Sequence, residues 1–168
     1  MLTTLRNLFI QALIVVVVFQ TVSYLRETSM LSSDTKITPT SALSFTQVPT
    51  LLGETVSLNS QGKKTIIYFF APWCKICHVS ISNLQSLYEK NSNIDVIAVA
   101  LDYRKLSEVS DFSKDKKLTF PIALGNEEIK NAFLITAYPS YYVIDEENTV
   151  IGKSLGYSSE LGLYLRSL

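Results

Sequence analysis

Sulfur and imidazole side chains are scarce in this chain of 168 residues, which has two cysteines, one histidine and two methionines. The cysteines and the histidine stand together as Cys74, Cys77 and His78, whereas Met1 and Met30 lie far upstream. Their C-x-x-C-H spacing suits either a dithiol redox site or covalent haem attachment. A haem normally takes a second strong ligand from histidine or methionine, and a closed zinc site needs four ligands. The scarcity therefore argues against both and favours redox chemistry of the cysteine pair.

An excess of either charge is also missing, because Lys and Arg total 15 and Asp and Glu total 15. The chain has no basic patch interleaved with aromatic residues, so no long-range field attracts nucleic acid. With 47% hydrophobic and 18% charged residues, the composition is that of a globular protein able to bury a core. We therefore expect a folded domain with no nucleic-acid partner.

Charge is absent altogether from residues 7–25, which lie between Arg6 and Arg26. As a helix, this stretch would rise about 28 Å, close to the roughly 30 Å hydrocarbon core of a bilayer. A cleaved signal peptide is the alternative, but the residues that follow offer a poor site for a signal peptidase. We therefore predict an N-terminal transmembrane anchor over residues 1–26. Its short N-terminal tail favours a C-terminal part outside the cytoplasm, where disulfides persist.

Beyond the anchor, Ser and Thr dominate residues 27–44, which predicts a flexible tether, and residues 45–168 carry the patterns of one folded domain. Buried strands are predicted at 65–70 and 94–101, because both runs are rich in β-branched and aromatic or small apolar residues. Between them, apolar residues spaced three and four apart predict an amphipathic helix at 74–88. This order implies a right-handed parallel βαβ unit.

Shorter elements complete the predicted domain. They are a hairpin over 45–58, helices over 107–116, 126–133 and 159–168, an extended piece over 118–124, and a hairpin turning at 145–148. Together these elements predict an α/β sandwich with a mixed sheet.

The position of Cys74 suits redox chemistry, because it falls where the predicted strand passes into the helix. Unpaired N–H groups and the positive end of the helix dipole there favour a thiolate. Cys77 lies one turn later and is placed to attack a mixed disulfide on Cys74. Lys75, Ile76 and His78 are the neighbours that we expect to tune the pair. This chemistry needs no metal or organic cofactor.

The chain resembles the thioredoxin superfamily in two stretches, "FFAPWCKIC" after a strand and "AYPSYYVID" far downstream. The leading hairpin and the phrase "LTFPIAL" are more closely similar to the membrane-anchored TlpA-like thioredoxins. The order of anchor, tether and domain also resembles the thioredoxin-like member of the suppressor-of-copper-sensitivity group. The resemblance covers about residues 45–168 and implies a thioredoxin-like fold, a mixed central sheet flanked by helices.

By this resemblance, Cys74 is the attacking thiol and Cys77 the resolving one. Trp73 would be the aromatic shield before the first cysteine, and Pro139 the cis-proline that faces the disulfide. The backbone of Tyr138 would pair with an extended substrate as an added strand does. These residues are the predicted catalytic and substrate-binding positions.

Three features depart from the family pattern. Tyr68 stands where many thioredoxins carry a buried acid, and Tyr138 is bulkier than the usual Thr or Val, which would narrow the substrate groove. The pair Lys75-Ile76 matches neither thioredoxin nor its oxidising relatives, and a glutamate found between the cysteines of some cytochrome-maturation members is absent. The redox direction is therefore open, and the TlpA-like resemblance alone favours a reductant.

The function that these features predict is a protein thiol:disulfide oxidoreductase, anchored by one helix in the bacterial cytoplasmic membrane and facing the periplasm. Its partners would be protein thiols or disulfides and an upstream redox protein of the membrane. Two other functions use the same cysteines and stay open: a copper- or haem-binding electron-transfer module, and a thiol peroxidase.

Overall fold

A computed structural model describes residues 2–167, apart from the side chains at positions 2–5, 8, 19, 20 and 23–26 of the first helix. In chain order the elements are α1 (Leu2–Glu27), β1 (Val48–Pro49), β2 (Thr55–Val56), β3 (Lys64–Phe70), α2 (Lys75–Lys90), β4 (Ile94–Ala100), α3 (Leu106–Lys116), β5 (Ile122–Leu124), α4 (Glu127–Ala132), β6 (Ser140–Ile144), β7 (Val150–Leu155) and α5 (Glu160–Arg166).

The main sheet has five strands in the order β5-β4-β3-β6-β7. Strands β3, β4 and β5 run parallel, whereas β6 and β7 are antiparallel to their neighbours. The predicted unit of strand, helix and strand is therefore present as β3-α2-β4. The mixed α/β sheet flanked by helices, predicted for a thioredoxin-like fold, is confirmed.

Strand β3 lies at the centre of this sheet and is buried on both faces. Tyr68 and Phe70 point into a core shared with α2, α3 and α5. Ile67 and Phe69 point into a second core, shared with α4 and with residues 30–58. Successive side chains of a strand alternate between faces, so a continuous apolar run fits a strand that is covered on both sides.

The leading hairpin is a short two-stranded sheet that adjoins strand β5 of the main sheet through an antiparallel bridge between Thr50 and Ala123. Strands β1 and β2 pair antiparallel, with Val48 opposite Val56. The turn between them includes Gly53, whose φ of +87° is the left-handed region that glycine reaches without strain. The hairpin predicted at this place is therefore confirmed.

Residues 27–44 differ from the flexible tether that their Ser- and Thr-rich composition predicts. Met30, Ile37 and Leu43 are buried in the second core. The Ile37 amide also donates to the Asn148 carbonyl at 2.8 Å. Three apolar side chains at irregular spacing give no periodic signal, yet each finds a place against the sheet. The stretch is therefore fastened to the domain at these points, although most of its residues are exposed.

Helix α1 covers the predicted anchor, residues 1–26, part of which lies outside the described residues. The apolar side chains described between Phe9 and Val18 are exposed. Among the described residues, no helix is both long enough and apolar enough to cross a membrane. The predicted transmembrane helix is therefore not supported by the structure.

Candidate active site

Three segments of the chain meet at one edge of the main sheet. Because β3 and β4 are parallel and pair Phe70 with Ala100, residues 71–74 and 101–104 leave the sheet side by side. Strand β6 runs antiparallel to β3, so residues 137–139 arrive at the same edge. The carboxyl ends of parallel strands are where α/β proteins usually place their sites.

The two cysteines lie at this edge and form a disulfide, with their Cα atoms 5.2 Å apart. Cys74 is the N-cap of α2, and its sulfur accepts a hydrogen bond from the Cys77 amide at 3.2 Å. After reduction, this amide and the positive end of the helix dipole would stabilise a thiolate on Cys74. The predicted transition from strand to helix therefore places the first sulfur as expected.

The two sulfur-bearing residues differ in access. Cys74 retains 7% of its surface exposed, whereas Cys77 is fully buried. Cys77 lies on the inner face of α2 together with Ile81 and Leu84. Cys74 is therefore the more accessible of the two cysteines to an incoming sulfur.

The structure brings the predicted substrate-binding residues together beside the cysteines. Trp73 is 64% exposed, and its ring packs edge-on against Tyr138 with centroids 5.9 Å apart. The Tyr138–Pro139 peptide bond is cis, which confirms the isomer that the sequence resemblance implied. Among the described residues, the backbone N–H and C=O of Tyr138 make no hydrogen bond. Their parts in substrate binding stay predictions.

Lys75, Ile76 and His78 lie in different surroundings. The first two stand between the cysteines and face the solvent, with Ile76 half-exposed. His78 Nε2 lies 2.8 Å from the Pro72 carbonyl, and because a carbonyl only accepts, this nitrogen carries a proton. The His78 ring also packs edge-on against Phe112. His78 thus braces the loop before the cysteines, while tuning of the thiols by these three residues stays a prediction.

Tyr68 lies in the same buried cluster as both cysteines. Its hydroxyl has no hydrogen bond of good geometry, although Ser80 is near enough to interact with it. Burial raises the pKa of Tyr68, so the phenol keeps its proton near neutral pH. A buried carboxylate at this position would accept a proton there, and Tyr68 cannot.

Two further residues belong to the site and were not predicted from the sequence. The Asp102 carboxylate accepts hydrogen bonds from Lys130 at 2.9 Å and from the Tyr138 hydroxyl at 3.0 Å. The Asp102 carbonyl accepts from the Trp73 indole at 3.0 Å. One signal pointed to Asp102, because it directly follows the buried strand parallel to the one that precedes the cysteines. No sequence signal pointed to Lys130.

A cleft of about 830 Å³ opens beside Trp73 and extends toward α3. Four carboxylates line it together with one guanidinium, namely those of Asp102, Glu108, Asp111, Asp115 and Arg104. Within the described residues, no group of three or more His, Cys, Asp or Glu side chains is placed to hold a metal ion.

The same fold occurs in known oxidoreductases. The crystal structure of StoA from Bacillus subtilis superposes with a TM-score of 0.67 and 27% identity, covering 74% of this chain and 96% of that one. A thiol:disulfide interchange protein from Chlorobium tepidum TLS gives 0.66 and 26%, covering 79% and 97%. Fold and cysteine pair together define the class, a thioredoxin-like thiol-disulfide oxidoreductase.

The chain belongs to the AhpC/TSA family, whose model matches residues 40–153. Sporulation thiol-disulfide oxidoreductase A of Bacillus subtilis (strain 168) is 30% identical over 112 residues, which are 64% of this chain and 68% of the relative. Thiol-disulfide oxidoreductase ResA of Bacillus thuringiensis subsp. konkukian is 29% identical over 128 residues, 72% and 73% of the two chains. Thioredoxin-like protein YneN of Bacillus subtilis is 32% identical over 105 residues, 60% of this chain and 62% of the relative. The resemblance to thioredoxin-like oxidoreductases is confirmed.

The difference in access predicts unequal reactivity of the two thiols. In the reduced protein near neutral pH, iodoacetamide should modify Cys74 at least about tenfold faster than Cys77. The reason is that Cys74 reaches the surface at a helix N-terminus, whereas Cys77 is buried. Peptide mass spectrometry after timed quenching measures both rates. The Cys74→Ser variant should retain only the slow reaction, and equal rates in the unmodified sequence would contradict this assignment.

Proposed function

We propose that the chain exchanges disulfides with protein substrates, with Cys74 as the attacking thiol and Cys77 as the resolving thiol. The observation that carries the proposal is a disulfide at the N-terminus of α2 of which only the first cysteine reaches the surface. This arrangement admits one substrate sulfur at a time and keeps the second thiol for the internal step.

The reaction balances as two successive exchanges. The Cys74 thiolate attacks one sulfur of a substrate disulfide, which forms a mixed disulfide and releases the other substrate sulfur as a thiolate. Cys77 then attacks the Cys74 sulfur and gives its proton to the departing substrate sulfur, which leaves as the second substrate thiol. Two electrons pass to the substrate, and the Cys74–Cys77 disulfide reforms.

A protein substrate is supported by what surrounds the sulfur. The unpaired backbone groups of Tyr138 offer an extended segment the hydrogen bonds that a neighbouring strand would supply. Exposed Trp73 and Ile76 add apolar surface on either side of Cys74. Main-chain pairing with apolar contacts suits a polypeptide that carries a cysteine.

Trapping tests the assignment of the two thiols. Cys77→Ser should accumulate mixed disulfides between Cys74 and protein substrates, because the resolving step is lost. Cys74→Ser should form no adducts, and both variants should lose turnover by at least about a hundredfold. Non-reducing gels and mass spectrometry of the adducts make the measurement.

Other outcomes of the same work would favour the rival functions. A Soret band or stoichiometric copper in protein matured in an exporting host would favour the electron-transfer module. Rapid reduction of hydrogen peroxide by Cys74, with no protein adducts on Cys77→Ser, would favour a thiol peroxidase.

For the redox direction we propose reduction of substrate disulfides, with an upstream membrane redox protein returning the electrons. The support is the TlpA-like sequence resemblance. Equilibration of the protein against glutathione buffers should therefore give a potential well below about −120 mV and nearer to the roughly −270 mV of thioredoxin. Cys77→Ser, which lacks the internal couple, is the control. A value close to −120 mV would contradict the reducing direction.

For the location we propose the outer face of a bacterial cytoplasmic membrane, with α1 as the anchor. The support is the uncharged stretch 7–25 and the exposed apolar side chains that α1 carries between Phe9 and Val18. Exposed apolar surface of this extent marks a membrane or protein contact. A compartment outside the cytoplasm would also let the disulfide persist.

Fractionation tests the location. Expressed in a bacterium, the full chain should sediment with membranes, resist carbonate extraction, and be digested by protease added to spheroplasts. A variant lacking residues 2–26 should lose membrane association, because the apolar helix is gone. Recovery of the full chain in the soluble fraction would contradict the anchor, and protection from protease would contradict the orientation.

A further inference from the structure

Four side chains form a cluster beside the disulfide, here called the Asp102 cluster: Asp102, Lys130, Tyr138 and Trp73. Lys130 donates to both carboxylate oxygens of Asp102 at 2.9 Å, and the Tyr138 hydroxyl donates to one of them at 3.0 Å. The Trp73 indole donates to the Asp102 carbonyl at 3.0 Å. Asp102 therefore links the loop that precedes Cys74, the loop that contains the cis peptide bond, and helix α4.

The central ion pair of this cluster is partly shielded from solvent. The Lys130 and Asp102 side chains are 25% and 30% exposed, and the ammonium contacts both carboxylate oxygens. The hydrogen bond to Asp102 raises the pKa of Lys130, so the ammonium stays charged through the physiological range. Because the lysine pKa is raised, the stabilisation from this ion pair is fully present below the ordinary lysine pKa. It is lost only when the pH rises through the raised pKa and the ammonium loses its charge.

The Tyr138 hydroxyl is held in the same way. Burial is the larger cause and the hydrogen bond to Asp102 the smaller cause of a raised pKa of Tyr138. The phenol therefore keeps its proton and remains a donor. The bulky side chain that would narrow the substrate groove is therefore drawn onto Asp102 and against the Trp73 ring.

The backbone of Asp102 explains why this residue type suits the position. Its φ is +50°, in the left-handed region that Asp and Asn enter more readily than most residues. In this conformation the Asp102 carbonyl accepts from Trp73 while the carboxylate accepts from Tyr138 and Lys130. Alanine would lose the carboxylate and also disfavour the backbone conformation, whereas asparagine would lose only the charge.

Trp73 is exposed and yet held in one orientation by two contacts, the indole hydrogen bond and the edge-on ring of Tyr138. If these rings are ordered before a substrate binds, less conformational entropy is lost on binding. We propose that Asp102, fixed by Lys130, is a positioning residue that holds Trp73 and Tyr138 together as one wall of the protein-substrate groove. This inference rests on the proposed exchange with protein disulfides and concerns the recognition of the substrate.

Trp73 is the only tryptophan in the chain, so its fluorescence reports the cluster without any assay of exchange. Asp102→Asn and Lys130→Met should raise the acrylamide quenching constant of reduced protein about 1.5- to 2-fold, because the indole gains freedom. They should also raise KM for a cystine-containing peptide about three- to tenfold, with a smaller change in kcat. The loss of kcat/KM should be at least about three times larger for the peptide than for oxidised glutathione.

Three further variants sharpen the test. Asp102→Ala should raise the quenching constant and KM more than Asp102→Asn does, because alanine also lacks the preference for the left-handed backbone conformation. Lys130→Arg should restore most of the effect of Lys130→Met, because it restores the ion pair. Glu128→Gln removes an exposed carboxylate from the same helix as Lys130 and should leave quenching and kinetics as in the unmodified sequence.

The inference would be overturned if Asp102→Asn and Lys130→Met kept the quenching constant and the KM of the unmodified sequence. Thermal unfolding at the same temperature would show that both variants are folded. Equal losses for peptide and glutathione would also overturn it, because Asp102 would then act on the sulfur chemistry. If the unmodified protein exchanged no disulfide, the proposed function would fail, while quenching would still show whether Asp102 orders Trp73. Asp102→Asn keeps the side-chain shape, so the test stands even where Asp102→Ala does not fold.

Discussion

The burial of β3 on both faces is the constraint on which the site depends. A strand covered on both sides is held in register by close packing, because a slip of one residue would force Tyr68 and Phe70 into the space that Ile67 and Phe69 fill. The end of β3 therefore delivers residues 71–74 to a fixed place, and the parallel neighbour β4 delivers residues 101–104 beside them. The antiparallel β6 brings the Tyr138–Pro139 peptide to the same edge. The disulfide, the aromatic pair and the Asp102 cluster all follow from this meeting of three loops.

Much of this arrangement could be predicted from the sequence, because its signals are local. The apolar run before the cysteines, the spacing of apolar residues after them and the second apolar run are each readable within about a dozen residues. The placement of Cys74 at the start of α2 and the inward position of Cys77 follow from that pattern. Trp73, Tyr138 and Pro139 came from resemblance to a family, since no local rule assigns them to one groove.

The parts that could not be predicted depend on contacts between distant residues. Residues 27–44 carry no apolar period, so nothing local shows that Met30, Ile37 and Leu43 each fit against the sheet. Lys130 could not be predicted for a similar reason. The sequence shows only a lysine on a short helix, and its role depends on the Asp102 carboxylate that it contacts in the fold. Pairing of side chains from different loops arises only in the assembled fold. It therefore produces no regular spacing of residue types that could be recognised in the sequence.

Tyr68 stands where the resemblance to thioredoxins implies a buried acid, and this difference changes how the two thiols are distinguished. A carboxylate at this position would act through its charge and could accept the proton of Cys77. The Tyr68 phenol stays neutral because burial raises its pKa, so it supplies no charge to the buried thiol. The two thiols therefore differ in reactivity only through their positions. Cys74 lies at a helix N-terminus and is partly accessible to solvent, whereas Cys77 is fully buried. The asymmetry of this site therefore rests on backbone geometry, which depends in turn on the strand that ends there.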